Sequence, residues 1–106
     1  MTAYPDTQLF IAGQWRPGSG GRRIAVTDPA TSEVIGHVAH AEISDLDAAL
    51  AAAERGFAVW RETGVFDRCR IMRRAADLMR ERADGIARIL TREQGKPLAE
   101  ARRSEE

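Results

Sequence analysis

The feature that most constrains this chain is the long amphipathic pattern from Asp67 to Glu93. Asp67 is a suitable N-cap. Ile71, Ala75, Leu78, Met79, Ala83, Ile86 and Leu90 then recur at helical spacing. Gly95 stops the pattern, and Pro97 suits the first turn of a new helix. A continuous helix over 67–93 would run about 39 Å at 1.5 Å per residue. A compact domain of 106 residues is only about 26–30 Å across. The apolar stripe is therefore longer than one neighbouring helix can cover, and it predicts a covering surface beyond these residues.

The preceding helix spans about 44–61. Ser44-Asp45-Leu46-Asp47 has the form of a capping box, a hydroxyl at N-cap and a carboxylate at N3. Leu46, Ala49, Leu50, Ala53, Phe57 and Trp60 make one apolar face. Upstream, the pattern changes to short strands over about 9–39. Leu9-Phe10-Ile11, a turn at Ala12-Gly13-Gln14 and the returning Trp15 read as a tight hairpin. Ile24 and Val26 alternate with Ala25 and Thr27, Asp28-Pro29-Ala30-Thr31-Ser32 is turn chemistry, and Val34-Ile35-Gly36-His37-Val38 follows as a strand. Residues 1–8 read as a polar, loose tail. On the outside of the long pattern, Arg80–Asp84 and Asp84–Arg88 are spaced as i,i+4 ion pairs.

Charge excludes some functions. Lys+Arg and Asp+Glu are equal at 16 each, which argues against a dedicated nucleic-acid binder. Residues 1–66 carry a net −3 and residues 67–106 a net +3, a gradient that reads as solvated helix surface. Arg68, Arg70, Arg73, Arg74, Arg80, Arg82, Arg88 and Arg92 are interleaved with Asp77, Glu81 and Asp84, which would repel phosphate. Cys69 is the single cysteine, so no internal disulfide forms. The N-terminus lacks the basic and apolar regions of a secretory signal, and no run is long enough to span a membrane. The expectation is a cytoplasmic protein.

Candidate chemistry is sparse. Gly95-Lys96 would end a phosphate-binding loop, but Leu90 stands where a Gly is needed and Pro97 where a Ser or Thr is needed. Gly18-Ser19-Gly20-Gly21 lies between strands, not between a strand and a helix, and reads as a loop. His37 and His40 would point to opposite faces of a strand. Cys69 lies near a helix start beside Arg68 and Arg70, where a thiolate is favoured, yet no base or oxyanion hole accompanies it. Catalytic, cofactor-binding and metal residues are accordingly assigned to none.

Taken in order, five segments resemble the NAD(P)-dependent aldehyde dehydrogenase family. They are Leu9-Phe10-Ile11-Ala12-Gly13-Gln14-Trp15, Asp28-Pro29-Ala30-Thr31-Ser32-Glu33-Val34-Ile35-Gly36, and Asp45-Leu46-Asp47-Ala48-Ala49-Leu50-Ala51-Ala52-Ala53 with Phe57 and Trp60. The others are the residues Arg68, Arg73, Arg74, Ala75 and Ala76, and Glu93-Gln94-Gly95-Lys96-Pro97-Leu98-Ala99-Glu100-Ala101. Asp28 and Ser32 depart from the family's usual Asn and Gly. The form of the last segment is most similar to succinate-semialdehyde dehydrogenases.

The resemblance implies an α/β fold: short hairpin strands, helices over 44–61 and 67–93, and the start of a third. It also implies that 9–106 form the N-terminal part of a cofactor-binding domain. Enzymes of the family oxidise an aldehyde to the acid with NAD or NADP. A Cys nucleophile, a Glu base and an Asn oxyanion donor do the work, and all lie beyond the matched region. Cys69 does not match the nucleophile's motif. Some members hold a structural monovalent cation near the residue matching Glu93, a role not carried over. The family's N-terminal hairpin packs near the subunit interface, so a homo-oligomer is implied for the full-length form. By this resemblance the chain alone is an inactive fragment that binds no cofactor. The polar Arg103-Ser104-Glu105-Glu106, where the family continues its helix, implies truncation or a lost reading frame. The alternative is a small helical interaction or oligomerisation module without enzymatic activity.

Overall fold

Two hairpins lead into four helices in the computed structural model, which describes residues 3–104. β1 (Leu9–Ile11) and β2 (Gln14–Arg16) pair antiparallel, with Ile11 opposite Gln14. The two-residue turn puts Ala12 at φ 52° and Gly13 at φ 78°. Positive φ at both central positions matches the right-handed twist of the strands. Phe10 and Trp15 face each other across the ladder with ring centroids 4.7 Å apart.

β3 (Arg23–Thr27) and β4 (Val34–Ala39) form the second hairpin, with an irregularity between Val26 and Thr27. Its turn is built by Asp28. The Ala30 amide donates to the Asp28 carboxylate at 2.8 Å, and the Ser32 amide to the Asp28 carbonyl at 2.7 Å. Ser32 sits at φ 62°. That left-handed conformation is where glycine is favoured.

Within the expected tail of residues 1–8, Asp6 and Thr7 are fastened, while Met1 and Thr2 lie outside the described residues. The Thr7 amide donates to the His37 carbonyl at 2.9 Å, and the Ala39 amide to the Thr7 carbonyl at 2.8 Å. Thr7 thereby adds a parallel bridge to Val38. The Asp6 carboxylate accepts from the His37 amide at 2.9 Å and pairs with Arg23 at 3.3 Å. A polar composition concealed this strap because its bonds are made by backbone and short side chains to residues 17 to 31 positions or so away.

α1 is Ile43–Glu62 and α2 is Val65–Glu81. α3 is Ala83–Gln94 and α4 is Leu98–Arg103. The expected helix over 67–93 is thus two helices, divided at Arg82, whose φ −104° and ψ 7° lie outside the helical well. Gly85 lowers helix propensity just beyond the break, and Asp84 falls in the first turn of α3, where a carboxylate suits the helix dipole. The division also undoes the expected Arg80–Asp84 pair. Arg80 bonds Asp77 at 3.2 Å, while Asp84 takes Arg88 at 2.9 Å and Arg102 of α4 at 2.7 Å.

Gly95, at φ 74°, ends α3 and donates its amide to the Thr91 carbonyl at 2.8 Å. α3 and α4 then pack closely enough to bury Ala87 and Ala101 completely. Those two small residues are the only fully buried apolar ones among the described residues. The molecule is a slab of 47 × 36 × 17 Å with a radius of gyration of 16.8 Å, against about 13 Å for a compact chain of this length.

Candidate functional site

The most organised polar cluster centres on Asp45, at the start of α1. It is 2% exposed. One carboxylate oxygen accepts from the Glu42 amide at 2.9 Å, the Ser19 amide at 2.9 Å and the Ser19 hydroxyl at 3.0 Å. The other meets the Arg16 guanidinium at 3.2 Å. Glu42 is the N-cap and Asp45 is at N3, so the helix starts one residue earlier than expected, at Ile43. Ser44 is not the cap; its hydroxyl lies 3.0 Å from that of Ser19. A search for Ser or Thr at N-cap misses this arrangement, although Glu42-Ile43-Ser44-Asp45 carries its spacing in the sequence.

The donors hold the Asp45 carboxyl below its ordinary value, first through the Glu42 amide, then the Ser19 amide. A depressed carboxylate contributes stability above its unfolded pKa and loses it as pH falls through the lower folded value. Each of these bonds at Asp45 goes to its own fold, so this ionised carboxylate fastens the loop 17–21 and β2 to α1.

A second node joins the ends of the chain. The Tyr4 hydroxyl donates to the Glu93 carboxylate at 2.6 Å, and the Arg92 guanidinium lies 6.0 Å from the Tyr4 ring centroid. The hydrogen bond to Glu93 and desolvation push the phenol up to about 12. A Cβ built on Gly36 would collide with this ring, at 2.5 Å from its Cδ1.

The other sequence candidates resolve individually. Gly18 lies so close to the His40 backbone that a Cβ would overlap the His40 carbonyl oxygen, and a Cβ on Gly20 would meet the Glu42 carboxylate at 2.7 Å. The glycine segment is consumed by packing and does not fit a dinucleotide pyrophosphate. Lys96 turns to the Ser104 hydroxyl at 2.9 Å, away from any Gly-lined cradle. His37 faces Asp6 at 3.9 Å and His40 faces Glu42 at 3.6 Å. Among the described residues no three His, Cys, Asp or Glu side chains converge as metal ligands. Cys69 is exposed on α2, in a shallow depression lined by Phe66, Arg70, Arg73, Arg74 and Asp77. No described helix is long and apolar enough to cross a membrane.

Comparison with known proteins gives this geometry a context. The model of the aldehyde dehydrogenase family matches residues 15–106. The 4-(hydroxymethyl)benzenesulfonate dehydrogenase of Comamonas testosteroni is 40% identical over 99 residues, covering 93% of this chain and 21% of that protein. An NAD-dependent aldehyde dehydrogenase from Sinorhizobium meliloti superposes with a TM-score of 0.92 at 30% identity, over 97% of this chain and 21% of that one. A succinate-semialdehyde dehydrogenase from Burkholderia pseudomallei gives 0.90 at 38% identity, over 93% and 20%. The chain spans about a fifth of the length of the curated relatives it matches. Its α/β arrangement corresponds to the N-terminal portion of their fold.

Proposed function

The chain belongs to the aldehyde dehydrogenase family, and from that premise we propose that residues 9–106 form the N-terminal part of the cofactor-binding domain of a longer cytoplasmic, homo-oligomeric enzyme. That enzyme oxidises an aldehyde to its carboxylic acid, with NAD or NADP accepting the hydride. Succinate semialdehyde is the proposed substrate; the 38% identity to the Burkholderia enzyme supports it. The 106 residues alone turn nothing over.

One observation carries this reading: 97% of the chain superposes on a segment that is only 21% of a dehydrogenase. The architecture described above agrees with a structural role. Its polar clusters are spent on holding loops to helices, and Cys69 has no positioned base. The part played by these residues is to set the hairpins and helices around a body contributed by other residues.

The test is a chimaera in which this chain replaces the matching segment of the Burkholderia succinate-semialdehyde dehydrogenase. The expected result is a folded enzyme that oxidises succinate semialdehyde with its nicotinamide cofactor, while the isolated chain reduces neither NAD nor NADP. Turnover by the isolated chain that disappears in Cys69→Ser would overturn the assignment of no catalytic residue.

A further inference from the structure

We propose that the N-terminal strap works as a clasp. Through Tyr4 it seals the α3–α4 pair against the β3–β4 hairpin, so that these segments open and close as one unit. Arg82 is the boundary beyond which α1 and α2 open on their own. This coupling is a property of the chain itself and does not depend on the proposed activity.

The strap faces two ways. Thr7 and Asp6 bond β4, and Tyr4, just before them, reaches α3. Its ring lies against Gly36, which is buried in β4. A Cβ on Gly36 would stand 2.5 Å from Cδ1 of the ring and 2.9 Å from Cε1. Only glycine admits a ring that close to the strand. The Tyr4 hydroxyl donates to the Glu93 carboxylate at 2.6 Å, and the Arg92 guanidinium lies 6.0 Å from the ring centroid. A hydrogen bond to an ionised acceptor is stronger than one between neutral groups. A single side chain thus touches β4 with its ring and the last turn of α3 with its tip. A second contact joins the same two parts of the fold. A Cβ on Gly95, which ends α3, would stand 3.0 Å from Cγ of Pro29 in the β3–β4 turn.

α3 and α4 share that hold because they are tied to each other. Ala87 and Ala101 are fully buried, Arg102 pairs with Asp84 at 2.7 Å, and Lys96 meets the Ser104 hydroxyl at 2.9 Å. On the other side of Arg82, Arg80 pairs with Asp77 and Arg74 with Glu81, both within α2. None of these pairs crosses Arg82. The backbone does: the Arg82 amide donates to the Leu78 carbonyl at 3.1 Å, and the Arg82 carbonyl accepts from the Ile86 amide at 3.0 Å. Arg82 is exposed. Exposed backbone bonds open more readily than those held by packing, so local opening divides the chain there.

The experiment is amide hydrogen exchange on the whole chain, read segment by segment. Tyr4→Ala should speed exchange about tenfold both in α3, from Ile86 to Leu90, and in β4, from Ile35 to Val38, and leave α1 and α2 unchanged. Tyr4→Phe keeps the ring on Gly36 and should give the same pattern at smaller amplitude. Gly36→Ala probes the coupling from the other end. Its methyl displaces the ring, and α3 should exchange faster although no residue in α3 is altered. Acceleration confined to the strap and to Gln94 and Gly95 would reduce Tyr4 to a local contact and overturn the inference. Equal acceleration in α2 would overturn it too, since Arg82 would then mark no boundary. An unsubstituted chain whose α3 amides exchange as fast as those of a free peptide also overturns it.

Discussion

Residues 3–45 and residues 46–81 are held in opposite ways. The first region is small strands, a strap and a glycine loop. Named polar bonds fasten it: Thr7 to β4, Asp6 to His37 and Arg23, Asp28 to its own turn, and Asp45 to Arg16, Ser19 and Glu42. The second region is nearly two full helices whose long-range apolar faces touch little: Leu46, Leu50, Phe57, Ile71 and Met79 are all exposed. Directional bonds can specify a local arrangement without a core. Apolar burial, the main driving force of folding, is left incomplete in the helices. The contrast teaches that local order and global stability are separate properties in this chain.

Isolated, it should therefore unfold without a sharp transition, and the fastened region is best followed by amide hydrogen exchange, which reads local opening. A sharp two-state melt of the monomer would erase the contrast between the regions. The largest effect is expected at Gly18. Gly18→Ala forces a methyl into the His40 backbone, and the loop should lose about 2–3 kcal/mol of protection, with the α1 amides beyond Phe57 unaffected. Equal loss in both regions would show that they unfold as one.

Next comes Asp45→Asn, which weakens the acceptor shared by Ser19, Glu42 and Arg16. Protection should fall at Ser19 and through the first turn of α1. The wild-type chain should lose the same protection as pH drops below the ordinary carboxylate value of 3.8, and the variant should be flat across that range. An unchanged pH profile in Asp45→Asn would remove Asp45 as the fastening group.

A smaller effect is expected from Tyr4→Phe, about 1 kcal/mol of local stability at the junction of the strap with α3. Because Tyr4 is the single tyrosine, its ionisation can be followed by tyrosinate absorbance. The raised phenol contributes stability fully below pH 10.0, and that contribution is lost as pH rises through about 12. A midpoint at the ordinary value would mean the Glu93 bond is not kept in solution. The smallest change is favourable: Ser32→Gly should stabilise the β3–β4 turn by about 0.5–1 kcal/mol, by relieving a left-handed serine. Exchange rates of Thr31 to Val34 test it.

Much of the fold was legible in the sequence because it follows from short-range rules. The turn read at Ala12-Gly13-Gln14, which proves one residue shorter because Gln14 already lies in β2, the Asp28 turn, the helical pattern of Leu46 to Trp60 and the stop at Gly95 all depend on residues within a few positions of each other. What escaped reading depends on distant partners. Asp45 looks like one acid of a capping motif until Ser19 and Arg16, from another loop, are placed on it. Tyr4 looks like part of a tail until Glu93 arrives 89 positions later. The break at Arg82 was invisible because the apolar spacing runs through it undisturbed, while α3 is tied to α4 by the Asp84–Arg102 pair and by the packing that buries Ala87 and Ala101.

The long stripe that first set this chain apart was correct in content and incorrect in shape. The sequence by itself determined which residues are helical, which side of each helix is apolar, and that those faces exceed what the chain can cover, since periodicity and length are local quantities. Only the tertiary structure decided that the stripe is interrupted at Arg82, that its second half is partly covered by α4 while its first half stays bare, and that the strap and the Asp45 cluster hold the hairpins in place. Those are properties of groups brought together from far apart, and spacing along the chain carries no information about such encounters.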